Sequence, residues 1–278
     1  MIETFTKNSL FIKEDSRTQR WSIPYHYEAL NSRVENLIIK NISAIKNKKI
    51  LDLGCHFGTF SYACLEHGAQ FVKGIDSEKK LIDQGKKLFK EHNVPKDKYN
   101  FQEEEIISYL EKTPKNSFDT ILCLGIFYYL NDPVHVLTLM KKVAKKYIIL
   151  DTFTAYYVTS VTRDREQYYK NTTDETFNLP LVFYPLTQAK KKDYTLNNLY
   201  LRPKRIPLSM LSLPTIPALE NFFNIIGLEY KELNWKNYIQ NPNITWKDFR
   251  SQEAKQASHW ADVYHTKLRI SYLLEVLK

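Results

Sequence analysis

Ile50-Leu51-Asp52-Leu53-Gly54-Cys55-His56-Phe57-Gly58 decides the fold, because it reads as a buried strand running straight into a glycine-bracketed turn. Ile50, Leu51 and Leu53 form the strand end, and Gly54 and Gly58 bracket the turn. A helix follows from about Thr59 to Glu66 and stops at Gly68, a favoured C-terminal cap residue. Gly54 lets the backbone come close to a ligand where a Cβ would collide, and the new helix presents N–H groups without intrahelical acceptors. The next strand, Phe71 to Ile75, ends in Asp76, 22 residues after Gly54. An acid at that spacing, after a second strand, is placed to accept hydrogen bonds from ribose hydroxyls. The unit reads as a nucleoside site.

The turn also bears on which nucleoside. Dinucleotide sites use G-x-G-x-x-G so that the backbone touches a pyrophosphate. Here the spacing is Gly-x-x-x-Gly, with Asp52 inside the strand just before it. The segment resembles motif I of class I S-adenosylmethionine (SAM) methyltransferases, roughly Asp/Glu-x-Gly-x-Gly-x-Gly. Asp52, Gly54 and Gly58 match that pattern, and Asp76 matches the family's ribose-binding acid. The middle glycine is His56, one of the few non-glycine types that tolerate unusual backbone angles. The resemblance implies SAM as cosubstrate and S-adenosylhomocysteine as product, held by Asp52, Gly54, Cys55, His56, Gly58 and Asp76.

Strands and helices alternate on either side of this unit. A helix is expected from Tyr27 to Ile45, with Leu30, Val34, Leu37, Ile38 and Ile42 on one face. After residue 75 the pattern gives helix 78–92, a short strand at 99–102, helix 106–110, strand 118–124, helix 132–144 and strand 147–151. Strict alternation implies α/β architecture with a doubly wound parallel sheet. Residues 156–213 carry no clean period, and a loop that long in a compact domain is usually functional. Regularity returns with a helix from Thr215, ended by Gly227, and strands at 228–234 and 268–277. These would complete the seven-stranded Rossmann-like sheet of the methyltransferase fold, whose final pair is antiparallel. The expected organisation is an N-terminal helical segment (1–45), a SAM-binding core (46–155), a substrate lid (156–213) and a C-terminal part of the sheet (214–278).

Composition narrows the classes. Of 278 residues, 43% are hydrophobic, enough for a full core, and no apolar run approaches the roughly 18 residues of a membrane span. The N-terminal residues show no apolar segment with a cleavage site, so no secretory signal is expected. Cys55, Cys64 and Cys123 fall at spacings that match no metal motif, and read as reduced, buried thiols of a cytoplasmic protein. The net charge of +9 favours an anionic partner, whether metabolite or RNA, although a solvated basic surface gives the same count.

A second resemblance covers Phe118 to Asp151 and Met210 to Gly227. Phe-Asp-Thr-Ile-Leu-Cys-Leu-Gly-Ile-Phe-Tyr-Tyr-Leu-Asn-Asp-Pro, a helix, then Ile-Leu-Asp-Thr is similar to the fourth-strand region of small-molecule methyltransferases. It also looks like the tRNA wobble-uridine carboxymethyltransferases, as does Leu-Pro-Thr-Ile-Pro-Ala-Leu-Glu. Those families commonly show Leu-Tyr-His where this chain has Phe127-Tyr128-Tyr129, so the histidine's role does not carry over. The resemblance implies that Glu104 meets the adenine amine and that Leu124 and Gly125 lie beside the methionine part of SAM.

Methyl transfer is an in-line displacement, for which the protein aligns the reactants and excludes water. A general base is needed only where the acceptor still holds its proton. The candidates are His26, His56 and His259, with His265 and the tyrosines of the insertion behind them. Tyr25 and Tyr128 are candidate substrate contacts. Arg163, Arg165, Arg202, Lys204 and Arg205, spaced among tyrosines, suit a phosphate or carboxylate bearing a ring or sugar. The leading expectation is O- or N-methylation of a small anionic or sugar-linked metabolite in a biosynthetic pathway. The alternatives are tRNA wobble-uridine modification and a non-catalytic binding protein of the same fold. No separate RNA-binding domain or long basic arm supports the tRNA reading.

Overall fold

The apolar runs at 49–53, 71–76, 118–124 and 144–153 become the central strands of one sheet. The computed structural model describes residues 3–13, 27–158, 168, 170–188, 199–201, 206–251, 253 and 258–277. In chain order the elements begin with α1 (Leu10–Lys13), α2 (Tyr27–Leu37), β1 (Lys49–Leu53), α3 (Thr59–Glu66), β2 (Phe71–Asp76) and α4 (Lys79–Glu91). Next come β3 (Tyr99–Glu103), α5 (Ile106–Lys112), β4 (Phe118–Leu124), α6 (Pro133–Val143) and β5 (Ala144–Phe153). The sheet runs β11-β12-β5-β4-β1-β2-β3, where β11 is Leu228–Glu232 and β12 is Arg269–Val276. β1 to β5 are mutually parallel, and β12 lies antiparallel to both β5 and β11. The expected seven-stranded sheet with its antiparallel final pair is present.

Both faces are covered, which is why β4 reads as a nearly unbroken apolar run. One core gathers Leu30, Val34 and Leu37 of α2 with Phe60 of α3 and Phe89 of α4. The opposite core holds Ile106 of α5, Leu137 and Met140 of α6, and Leu219 and Phe223 of the helix preceding β11. The outer strand β11 keeps only Leu228 buried and exposes Glu229, Lys231 and Glu232, charges that discourage edge-to-edge pairing.

Two expectations need correction. The helix expected to run from Tyr27 to Ile45 ends at Leu37, and a 3₁₀ segment follows over Ile39–Ala44. Asn41 breaks it: its Nδ2 donates to the carbonyls of Asn36 (2.9 Å) and Leu37 (3.1 Å), which the next helical turn would otherwise use. Ile42, expected on the apolar face, is 40% exposed as a result. The aperiodic stretch also holds regular structure. A helical turn α7 (Asp174–Phe177) and strands β6 (Val182–Phe183), β7 (Leu186–Gln188), β8 (Leu199–Leu201), β9 (Ile206–Met210) and β10 (Leu213–Pro214) lie there. They form a β6–β10 pair and a β7-β9-β8 sheet. Strands of two to five residues are too short to show a period.

The remaining helices are α8 (Ile216–Ile226), started by Thr215 accepting from the Ala218 N–H and ended by Gly227, and α9 (Asp262–His265). A third apolar cluster joins Tyr128, Phe153 and Tyr156 to Phe177, Leu211, Leu213, Trp246 and Phe249. It lies past the carboxyl ends of β4 and β5 and ties the 174–214 region to the β11–β12 connection.

Candidate active site

The turn after β1 is built on three left-handed residues: Gly54 (φ 63°), His56 (φ 55°) and Gly58 (φ 83°). For His56 this conformation costs about 1–2 kcal/mol, and the surrounding contacts hold it. Cys55 N–H donates to the Ile75 carbonyl at 3.0 Å, and Gly58 N–H donates to Cys55 O at 2.8 Å. Asp76 completes the frame. Its Oδ2 accepts from the His56 N–H at 2.9 Å and its Oδ1 from the Glu78 N–H at 3.0 Å. A carboxylate oxygen can accept more than one hydrogen bond, which is what a ribose diol requires.

Asp52 is part of the same frame. It is 3% exposed, and its Oδ2 accepts from Ser61 Oγ at 2.7 Å, fastening α3 to β1. The Cys55 thiol is buried, and its pKa is pushed well up by burial, then by the charges of Asp52 and Asp76. A Cβ on Gly74 would stand 2.8 Å from its Sγ, so the thiol occupies the space under the turn and only the backbone faces outward. At Gly54 the protein itself also leaves no room for a side chain: the Ile126 Cγ1 would lie 2.8 Å from an added Cβ.

A cleft of about 200 Å³ opens at the carboxyl ends of the strands. Gly54, Asp76 and Ser77 form one wall, Glu105, Ile106 and Ile107 at the start of α5 a second, and Ile126 with Tyr129 to Asp132 after β4 the third. Ligands lie in this position, beside the switch in strand order, in doubly wound sheets. The isoleucines offer an apolar slot for a planar base, and Asp76 a polar anchor for its sugar. These residues fit an adenosyl group.

Other expected residues fall around the cleft rather than in it. Glu104 ion-pairs with Lys112 at 2.8 Å and accepts from Gln102 Nε2 at 2.6 Å; the Lys112 hydrogen bond foremost holds its carboxyl below the usual range. Its neighbour Glu105 lines the wall instead. Leu124 ends β4, and Gly125 (φ 79°) donates its N–H to the Asp151 carbonyl at 2.7 Å. Tyr128 packs on Phe153 at 4.9 Å, and burial drives its phenol pKa well up. His56 supplies its backbone N–H to the frame, with its ring 4.3 Å from Phe57. His259 serves the turn before α9: its N–H donates to Asp262 Oδ2 at 2.8 Å and its Nδ1 accepts from Ala261 N–H at 3.3 Å. His265 Nε2 meets the Pro242 carbonyl at 2.7 Å. Tyr25, His26, Arg163, Arg165, Arg202, Lys204 and Arg205 lie outside the described residues.

No local signal in the chain announces the charged cluster behind Gly125. Asp151 is wholly buried and accepts from Arg269 Nε and Nη2, both at 2.9 Å, from Ser271 Oγ at 3.0 Å, and from Arg33 of α2. Burial pushes its carboxyl upward, but Arg269 and then Arg33 outweigh that and leave it below the ordinary value. The two guanidinium groups also lie over rings, Arg33 over Phe60 at 4.9 Å and Arg269 over Phe153 at 4.8 Å. These partners stand 118 residues apart in the chain, so only the fold joins them. The cleft residues Ile106, Ile107 and Ile126 had a weak signal, as apolar residues directly after strand ends.

Residues 45–199 match the family described as methyltransferase domain. A tRNA U34 carboxymethyltransferase of Trichodesmium erythraeum is 32% identical over 105 residues, covering 38% of this chain and 31% of that protein. A tRNA U34 carboxymethyltransferase of Helicobacter pylori is 31% identical over 120 residues, 41% of this chain and 44% of its own. The chain thus matches less than half the length of these curated relatives. Among solved structures, an S-adenosylmethionine dependent methyltransferase from Mesorhizobium loti superposes with a TM-score of 0.53 at 15% identity, over 88% of this chain and 99% of its own.

Proposed function

The chain belongs to the methyltransferase domain family and is a SAM-dependent methyltransferase, and from that premise we propose that it O- or N-methylates a small anionic or sugar-linked metabolite in a cytoplasmic biosynthetic pathway. SAM, when bound, supplies a methyl group on a sulfonium that an acceptor displaces in line. The residues of the chain bind and align. Asp76 takes the ribose hydroxyls, Ile106, Ile107 and Ile126 flank the base, and the Gly54–Gly58 backbone receives the methionine part. The loop from Gly125 to Asp132 then separates the cosubstrate from the acceptor side, beneath the Tyr128–Phe153–Trp246 cluster.

The observation that supports an anionic acceptor is the net charge of +9, with two arginines gathered beside Gly125. Arg33 and Arg269 share one carboxylate, Asp151, directly behind Gly125. The titratable groups that line the cleft among the described residues are Asp76, Glu105, Asp132 and Tyr129. An acceptor that already presents a lone pair at working pH suits such a site. We further propose that residues 156–213, with Arg163, Arg202 and Arg205, close over the acceptor as a lid.

A second reading rests on the two curated relatives, both tRNA U34 carboxymethyltransferases by name. On that reading the acceptor is a uridine base in RNA. One assay separates the two. Release of S-adenosylhomocysteine is followed with a nucleic-acid-free metabolite extract and, separately, with purified tRNA at rising salt. Turnover with the extract alone supports the metabolite reading. Turnover with tRNA alone, falling steeply with salt, overturns it.

A further inference from the structure

We propose that Phe11 is a positioning residue for cosubstrate binding: the N-terminal segment 3–13 braces the Gly54–Gly58 turn from behind, through Phe57. The segment is fastened along its length. Asn31 Oδ1 accepts from the N–H groups of Thr4 and Phe5, both at 2.9 Å, while its Nδ2 donates to Phe5 O at 2.7 Å. Thr4 Oγ1 meets His67 Nε2 at 2.9 Å, just past α3. Two aromatic anchors go further in, Phe5 at 2% and Phe11 at 0% exposure. A four-residue helix carrying a fully buried phenylalanine points to one contact that matters more than the helix itself.

That contact is the back of the turn. Phe11 lies 6.4 Å from Phe57, 4.8 Å from Tyr62, 6.1 Å from Phe89 and 4.9 Å from His92, ring to ring. Phe57 is itself 1% exposed and is held from another side by α4, where a Cβ on Gly85 would come within 3.0 Å of Phe57 O. The residue before it, His56, stands at φ 55° and gives its N–H to Asp76. Glycine would adopt that angle without strain, whereas histidine needs an external constraint. Phe57, gripped between Phe11 and α4, supplies it. The brace therefore compensates for the side chain at the position where the resembling motif has glycine, and the His56 N–H and Asp76 carboxylate stay in register for the ribose.

The inference rests on cosubstrate binding at this turn, so its test contrasts variants with the parent chain. S-adenosylhomocysteine is titrated calorimetrically into the full chain, Phe11→Ala, Phe11→Leu, His56→Gly and the Phe11→Ala/His56→Gly double variant, each with its ligand-free melting temperature. Phe11→Ala is expected to weaken binding roughly fivefold to tenfold, Phe11→Leu less. Adding His56→Gly should restore part of that loss in affinity while changing the melting temperature no more than His56→Gly changes that of the parent, because it relieves the turn and leaves the cavity. A purely structural Phe11 would not produce that rescue. Hydrogen exchange on the parent chain should show residues 3–13 gaining protection when the ligand binds. Parent-like affinity in folded Phe11→Ala overturns the proposal, as does a double variant no better than the single one. If Phe11→Ala does not fold, parent affinity in Phe11→Leu together with unchanged exchange at 3–13 overturns it equally. A parent chain that binds no S-adenosylhomocysteine would instead sink the cosubstrate assignment.

Discussion

Replacing Asp151 with alanine should be among the most damaging single changes in this chain. The carboxylate is wholly buried and faces two guanidinium groups, buried Arg33 and largely buried, bidentate Arg269. Removing it takes away the carboxylate that Arg33 and Arg269 share, and breaking such a buried pair typically costs about 3–5 kcal/mol. Arg33→Met is the informative companion. It keeps the bidentate Arg269–Asp151 pair and removes only the Arg33 contact. Its cost should stay near the roughly 1.5–3 kcal/mol of one charged hydrogen bond. Urea unfolding with the slope checked for constancy measures both. Acid adds a signature. The native Asp151 carboxyl sits below its ordinary value, so its stabilisation is present above about pH 4 and lost as pH falls through the native value. The gap between parent and Asp151→Ala should therefore narrow only under strongly acidic conditions. An Arg33→Met penalty equal to that of Asp151→Ala, or an Asp151→Ala penalty below about 1 kcal/mol, would refute the cluster's role.

Three further outcomes follow from particular contacts. Gly58→Ala should destabilise by about 2–5 kcal/mol, since φ is 83° and the new Cβ would fall 2.5 Å from Phe101 Cζ. Gly68→Ala, at φ 86° with its nearest neighbour Lys46 Cγ at 3.4 Å, should cost only about 1–2 kcal/mol of backbone strain; thermal melts of the pair compare them, and equal costs would show the Phe101 contact to be slack. Gly54→Val should abolish S-adenosylhomocysteine binding by displacing Ile126 from the cleft wall, with circular dichroism showing the fold retained; near-parent affinity would place the cosubstrate elsewhere. For the proposed lid, Arg202 and Arg205 neutralised together should raise KM for an anionic acceptor far more than the Kd of S-adenosylhomocysteine, and a parent KM would reduce residues 156–213 to a surface loop.

How much of this could be read from the chain depended on distance along it. The strand–turn–helix at 49–66 and the acid at Asp76 were legible because all their partners lie within one βαβ unit, and glycine spacing reports backbone geometry directly. Helix α8 was equally plain, with its Thr215 cap and Gly227 stop. The end of α2 at Leu37 is hidden in the sequence, since the apolar period continues to Ile42 while the Asn41 side chain competes for the carbonyls that sustain a helix. Glu104 and Glu105 are indistinguishable in sequence; only the fold shows that Glu104 pairs with Lys112 and Glu105 lines the cleft. The Arg33–Asp151–Arg269 cluster and the seating of Phe11 behind Phe57 depend on contacts between remote segments, for which one sequence carries no local sign.

The central claim is that the turn at Gly54–Gly58 and the carboxylate of Asp76 together hold an adenosyl cosubstrate. The most direct measurement is calorimetric titration of S-adenosylhomocysteine into the parent chain and into Asp76→Ala. Saturable binding to the parent is predicted, weakened in the variant by about 1.5–3 kcal/mol, or roughly 10- to 150-fold in Kd, as ribose hydroxyls lose a charged acceptor. Equal affinity in the two proteins, or no binding to the parent, would contradict the account.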